Sequence, residues 1–273
     1  HRDLHSFPTR RSSDLGVLAE IGAATEAFAA GGVDGETLKR IMKPGAARNA
    51  VDCALWDYTA KKTGARASAM AGIGEMRALT TAYTLSLGEP DAMRAAAEAA
   101  SARPLLKVKL GGKGGDIERI RAVRAGAPNA DLIVDANEGW GPDIFAEMMA
   151  ACADVGVKLV EQPVPQDADA ILRRGATPVP TCADESCHTS HEIPLLATRY
   201  DAINIKLDKA GGLTEALTMV AHAEAHGLTV MVGCMLATSL AMAPALIAAQ
   251  RAAFVDLDGP LLLSRDREPG LVY

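Results

Sequence analysis

Carboxylates and lysines close one short apolar segment after another in this chain. LIVDAN ends in Asp135 and Asn137, VKLVEQP carries Glu161, TCADES ends in Asp184 and Glu185, and FVDLDG carries Asp256 and Asp258. LLKVKL places Lys107 and Lys109 two apart, so that both point the same way from a strand, and INIKLDKAGG supplies Lys206 and Asp208. A single polar residue at a strand end is ordinarily a solvated rim residue, but six segments in succession are not independent accidents. Brought together, Asp135, Glu161 and Asp184 repel one another unless a cation neutralises them. An all-oxygen donor set suits a hard divalent ion, and magnesium fits best because it takes few protein carboxylates and leaves positions for water and substrate. No histidine closes these segments, which argues against a zinc hydrolase.

The lysines complete the chemistry. An amine near a cation and other amines is expected to have a lowered pKa and to serve as a base near neutrality. A metal that chelates a carboxylate stabilises the enediolate formed when the adjacent carbon loses its proton. Lys109 and Lys206 on opposite sides of such a centre would remove a proton from one face and return it to the other, which is racemisation or epimerisation.

These residues need a ring of strands to hold them. From Thr80 onward, β-branched or apolar runs alternate with Ala-rich stretches of helical periodicity, with strand starts near 81, 105, 132, 157, 180, 203, 229 and 254. Spacings of 23 to 27 residues match one β-plus-α unit, and eight units predict an α/β fold of the TIM-type (β/α) barrel class, whose active sites sit at the carboxyl ends of the strands. An open doubly wound sheet is the alternative, but the turn after the first run lacks its Gly-rich phosphate loop. Gly111–Gly115 reads as a flexible loop, not a phosphate cradle.

Four parts are expected. Residues 1–15 (HRDLHSFPTRRSSDL) are non-native or disordered, 16–79 form a truncated N-terminal helical capping region, 80–260 the barrel, and 261–273 a tail returning toward the cap. The uncharged run 227–249 divides into a buried strand and a buried helix.

Composition narrows the partners. With 28 Lys+Arg against 34 Asp+Glu and no basic cluster interleaved with aromatics, nucleic acid is excluded and a small molecule becomes the expected ligand. Five cysteines in an odd set without a C-x-x-C pair point to reduced thiols in a cytoplasmic protein, and no membrane association is expected.

The pieces KVK (107–109), DAN (135–137), EQP (161–163), ADES (183–186) and KLDKAGG (206–212) resemble the enolase superfamily, in particular its muconate-lactonizing subgroup. ADESCHT (183–189), NIKLDKAGGLTEAL (204–217), GCMLATS (233–239) and DLDGP (256–260) are most similar to the dipeptide epimerases of that subgroup. The resemblance implies an isomerase that uses Mg2+ to epimerise L-Ala-D/L-Glu-type dipeptides by 1,1-proton transfer, in murein peptide recycling, commonly as a homo-oligomer. It implies that Asp135, Glu161 and Asp184 hold the metal and that Lys109 and Lys206 are the paired acid/base residues. Lys107 would assist the substrate carboxylate and make Lys109 a better base. Asp256 and Asp258 would hold the substrate ammonium by charge-assisted hydrogen bonds. Thr84 and Cys234 would line the substrate, and Asn137, Glu185 and Asp208 would orient their neighbours. Family members also carry a three-stranded meander whose mobile loop reads the substrate, and its absence puts specificity in question.

Two kinds of alternative compete with this expectation. One is a different enzyme on the same scaffold: a cycloisomerase, an o-succinylbenzoate synthase or an N-acylamino acid racemase. The other is a catalytically inactive truncated fragment, which sustained turnover would contradict.

Overall fold

Eight short runs, five of them carrying two or three Val, Ile, Leu or Met residues each, pair in parallel and in chain order. In a computed structural model that describes residues 14–29, 31, 33–112 and 114–273, they are β1 (Tyr83–Leu85), β2 (Leu105–Lys109), β3 (Asp131–Asp135), β4 (Val157–Glu161), β5 (Thr181–Ala183), β6 (Ala202–Lys206), β7 (Thr229–Gly233) and β8 (Phe254–Asp256). Each begins within two residues of its expected start. β8 returns to the start of β1: the Ala82 amide donates to the Val255 carbonyl at 2.8 Å, and the Leu257 amide to Thr81 Oγ1 at 2.8 Å. The sheet is thereby bent into a nearly closed barrel.

Alternation along the strands builds the interior in layers. Ala82, Leu105, Ile133, Leu159, Cys182, Ala202 and Met231 form an apolar floor. Two residues further along the same strands stand Lys107, Asp135, Glu161, Asp184, Asn204 and Gly233, so the floor is roofed by polar groups. Residues between them point outward. Val108, Val134 and Val160 join one core under the helices, and Ile203, Ile205, Val230 and Val232 join another.

Outside the sheet lie α1 (Asp14–Ala29), α2 (Gly35–Ile41), α3 (Ala46–Thr63), α4 (Ala67–Met70), α5 (Pro90–Ala99), α6 (Asp116–Gly126), α7 (Pro142–Asp154), α8 (Ile193–Leu196), α9 (Leu207–Ala210), α10 (Leu213–Ala225) and α11 (Ser239–Ala249). The run 227–249 divides into β7 and α11, as expected. Strict strand–helix alternation fails three times: β4 is followed by a 3₁₀ turn at Asp169–Ile171, β5 by the single turn of α8, and β8 by a 3₁₀ turn at Gly259–Leu262. Pro163, Pro165, Pro178 and Pro180 account for the first exception, since each removes a helical donor and restricts the residue before it.

Residues 1–13 lie outside the described residues, and Asp14 and Leu15 already belong to α1, ahead of the expected boundary. The tail is tied to the barrel: the Leu271 amide donates to Ser239 Oγ at 2.9 Å, and the Tyr273 hydroxyl donates to the Leu257 carbonyl. None of the described helices is long and apolar enough to cross a membrane.

The helical segment docks through α3 onto the loop between β6 and α10. Buried Arg48 donates to the carbonyls of Gly211, at 3.0 Å, and Ala210. Asp52 accepts from the Thr214 amide at 2.9 Å and its hydroxyl at 2.6 Å, and the Trp56 indole donates to the same hydroxyl at 3.0 Å. Gly212 is required here, because a Cβ would stand 2.4 Å from the Asp52 side chain at a φ of +121°.

Candidate active site

The roof of the barrel is a network of charges withdrawn from water. Lys107, 2% exposed, reaches Glu161 Oε2 at 2.6 Å, Asp256 Oδ2 at 2.8 Å and Asp135 Oδ2 at 3.1 Å. Lys109 meets Asp135 Oδ2 at 2.6 Å from the solvent side. Across the ring, Lys206 pairs with Asp184 Oδ2 at 2.6 Å and stands 3.8 Å from Glu161 Oε1. Ligand atoms of Asp135, Glu161 and Asp184 lie within 4.8 Å of one another, and all three residues are buried. The structure therefore gathers the triad and both expected bases, with Lys109 and Lys206 on opposite sides.

This donor set fits a hard divalent cation. It consists of oxygens alone, and it leaves valences open. Among the described residues, the buried side-chain atoms without a hydrogen-bond partner are Asn137 Nδ2, Glu161 Oε2, Glu185 Oε2, Asn204 Oδ1 and Asp256 Oδ1, all from this one region. Glu161 Oε2 is met only by the Lys107 ion pair.

Electrostatics divide the acids. Burial pushes Asp135 up, but Lys109 and Lys107 outweigh it and bring it to about 2, while Lys206 and Lys209 hold Asp184 well below the carboxylate range against the same burial. Glu161 goes the other way, to about 7, through burial and the neighbouring Asp135. Glu185 rises to about 8 through burial and Asp184. The expected lowering of amine pKa is corrected for Lys206. Burial does lower it, yet Asp184 and Glu161 raise it by more, so protein charges alone hold it above its ordinary value.

The remaining predicted residues separate into two groups. Asn137, with φ +47°, donates its amide to Asp135 Oδ1 at 3.1 Å, and Glu185 faces the acids. Asp258 accepts from the Thr84 amide at 2.7 Å and is raised to about 6 by burial and Asp256, with the Cys234 thiol close by, itself pushed up to about 12 by burial and Asp256. Asp208 does not join the centre: it turns to α3 and accepts from Asn49 Nδ2 at 3.0 Å. Asp256 is not a free ammonium acceptor either, since one oxygen is engaged by Lys107. Trp140 lies buried behind the site, with its indole donating to Asp116 Oδ2 at 3.0 Å.

Three contributors escaped the sequence reading. Asn204 donates to Glu161 Oε1 at 2.6 Å, Lys209 bonds both the carboxylate and the carbonyl of Asp184, and Gln162 accepts from the Asp184 amide at 2.8 Å. Asn204 was findable, because it stands two residues before Lys206 and so shares its face of β6.

The family model of the enolase C-terminal-like domain matches residues 91–261. The chain belongs to the enolase superfamily. Within the superfamily it is 43% identical to the L-Ala-D/L-Glu epimerase of Escherichia coli (strain K12), over 98% of this chain and 83% of the relative. It is 46% identical to the N-acetyl-D-glutamate racemase of Pseudoalteromonas sp, over 85% of this chain and 73% of the relative. A solved enolase family member from Agrobacterium tumefaciens, with homology to dipeptide epimerases and with bound sodium and L-Ala-L-Glu, superposes with a TM-score of 0.92 at 54% identity, covering 96% of this chain and 79% of that one. Superfamily sites pair a Lys or His base with Mg2+; the buried triad here could hold that ion.

Proposed function

We propose that this chain is a Mg2+-dependent epimerase of L-Ala-D/L-Glu-type dipeptides that works by 1,1-proton transfer. The observation that carries this reading is the placement of Lys109 and Lys206 on opposite sides of a buried, all-oxygen triad. Similarity to the epimerase of Escherichia coli supports the substrate class.

Asp135, Glu161 and Asp184 would hold the ion. When bound, Mg2+ would supply positive charge that stabilises the enediolate and offsets the carboxylates that raise Lys206. Lys109 and Lys206 take the roles of base on one face and acid on the other, exchanging roles in the reverse direction. Lys107, fixed by three carboxylates, stays an ammonium and steadies the substrate carboxylate. Asp258 and the open oxygen of Asp256 receive the substrate ammonium, with Thr84 and Cys234 beside them. Asn137 and Glu185 support the triad. Five unpaired thiols support a cytoplasmic setting, and the substrate class supports a part in murein peptide recycling.

The test is proton exchange in deuterium oxide with L-Ala-L-Glu and Mg2+, followed by NMR at the Glu α-proton. Exchange that requires Mg2+, with turnover to L-Ala-D-Glu lost in both Lys109→Ala and Lys206→Ala and exchange of the L-Glu proton lost in the variant that lacks the lysine on its own face, is the expected result. A folded, Mg2+-binding protein that exchanges nothing would overturn the reading. A second reading, racemisation of N-acyl amino acids, is favoured by the engagement of Asp256 with Lys107 and by similarity to the N-acetyl-D-glutamate racemase. Faster exchange of N-acetyl-L-glutamate than of L-Ala-L-Glu would select it.

A further inference from the structure

Gln162 follows Glu161 and has a backbone that only a demanding site would impose on a side-chain-bearing residue, with φ +35°. It is fully buried and touches all three strands that carry the triad. On the β3 side its carbonyl accepts from the Glu138 amide at 2.9 Å, and on the β5 side its amide donates to the Cys182 carbonyl at 2.8 Å. Its side-chain Oε1 accepts from the backbone amides of Asp184, at 2.8 Å, and Ser186, at 3.2 Å. One residue thus joins Glu161 through a peptide bond to Asp184 through a hydrogen bond.

The other end of the amide is fixed as firmly. The two protons of Nε2 are shared among three acceptors, the Val164 carbonyl at 2.9 Å, Ser186 Oγ at 3.0 Å and Tyr200 OH at 3.0 Å. Both hydroxyls spend their own protons on Asp169 Oδ2, at 2.8 Å from Ser186 and 3.2 Å from Tyr200, so their lone pairs are left to accept. Arg199 in turn holds Asp169. The order of donation runs from the hydroxyls to Asp169 and from Nε2 to the hydroxyls, which leaves Oε1 facing the two backbone donors. The amide can point only one way.

We propose that Gln162 is a positioning residue for the cation site, setting the separation of the Glu161 and Asp184 carboxylates, and that Tyr200 and Asp169 act through it by fixing its amide. The inference rests on the metal centre proposed above and adds residues that touch neither ion nor substrate. Partners that orient metal ligands typically govern affinity by about 10- to 100-fold.

The test is Mn2+ binding by the full chain, read by electron paramagnetic resonance, alongside thermal unfolding. Gln162→Met keeps the length of the side chain and removes its hydrogen bonds, and it is expected to weaken Mn2+ binding roughly tenfold or more. Tyr200→Phe removes one acceptor while keeping the ring, and a loss of about threefold is expected, below the full effect of the partner it steadies. Because Tyr200→Phe leaves Gln162 in place, it decides the question if Gln162→Met does not fold. Lower melting temperatures with Mn2+ affinity unchanged would overturn the positioning role while leaving the metal centre intact. Failure of the wild-type chain itself to bind Mn2+ would overturn the metal centre and this inference together.

Discussion

Two regions of this molecule bury charge, and they treat it in opposite ways. Where α3 meets the loop before α10, each buried charge is closed off: Arg48 is spent on the Gly211 and Ala210 carbonyls, and Asp52 on the amide and hydroxyl of Thr214. At the barrel roof Asp135, Glu161, Asp184 and Asp256 crowd against Lys107, Lys109 and Lys206, and open valences remain on Glu185, Asn204 and Asp256. A buried charge that serves the fold must be satisfied by the fold, because an unmet polar group costs free energy. One that serves chemistry has to stay partly unmet until its ligand arrives. Open valences, more than burial or charge, distinguish the site from the dock.

Lys206→Ala tests that distinction most severely. Removing this amine is expected to reduce α-proton exchange by about 10²- to 10⁴-fold for whichever of L-Ala-L-Glu and L-Ala-D-Glu presents its proton to it. The fold should survive, since Lys209 still holds Asp184. NMR exchange rates and a circular dichroism melt on one sample decide it. Loss of folding together with exchange would place Lys206 with the dock residues.

The next largest effect is in pH dependence. Glu161, Glu185 and Asp258, raised to about 7, 8 and 6, keep a proton in the folded state that the unfolded chain releases near its ordinary carboxylate value. Between pH 5 and 8 the folded state therefore binds more protons, and stability falls as pH rises. Asp135, at about 2, acts in the opposite direction, but its window closes below pH 4. Urea unfolding with a chelator present should lose a few kcal/mol across this range. Saturating Mg2+ should flatten the slope, because the ion favours the ionised acids. A slope that ignores Mg2+ would mean that the raised acids do not share a site with it.

The two regions were also unequally legible in the sequence. The barrel could be read because strands of three to five residues recur at nearly constant spacing, and the triad because an acid closing an apolar run stands out. The supporting shell could not be read in the same way. Gln162 lies in a loop whose backbone has no periodicity, and Lys209 reaches Asp184 only because α9 folds back beneath β6. Asp208, next to Lys209 in the same four-residue helix and two residues from Lys206, read as a site residue, yet its side chain accepts from Asn49 of α3. The dock was invisible for a related reason. Arg48 and Asp52 sit more than 150 positions from their partners, and no local pattern encodes such a pairing.

In the dock, Asp52→Ala should cost about 2–3 kcal/mol, since the amide and the hydroxyl of Thr214 both lose their acceptor and Arg48 a nearby opposite charge. Exchange at saturating Mg2+ should change by less than about twofold, within the effect of substitutions remote from chemistry. A stability loss with an equally large loss of exchange would mean that α3 holds β6 in place for catalysis, and the two regions would be one.

Trp56→Phe gives the smallest effect and the finest comparison, because Trp140 makes the same kind of bond elsewhere. Each indole donates at 3.0 Å, Trp56 to Thr214 Oγ1 at the dock and Trp140 to Asp116 Oδ2 behind the site. The Trp56 bond is one neutral contact on a hydroxyl that Asp52 already occupies, so its loss should cost about 1 kcal/mol and about 2–4 °C in melting temperature. Trp140 donates to a carboxylate oxygen that also accepts from the Gly111 amide, two residues beyond Lys109. Trp140→Phe therefore loosens a charged acceptor that braces the loop leading from Lys109. Its stability cost should be larger, about 1.5–3 kcal/mol, as for hydrogen bonds to charged groups. It alone of the pair should slow exchange. Equal effects of the two substitutions on exchange would show that support for Lys109 does not pass through the Asp116 loop.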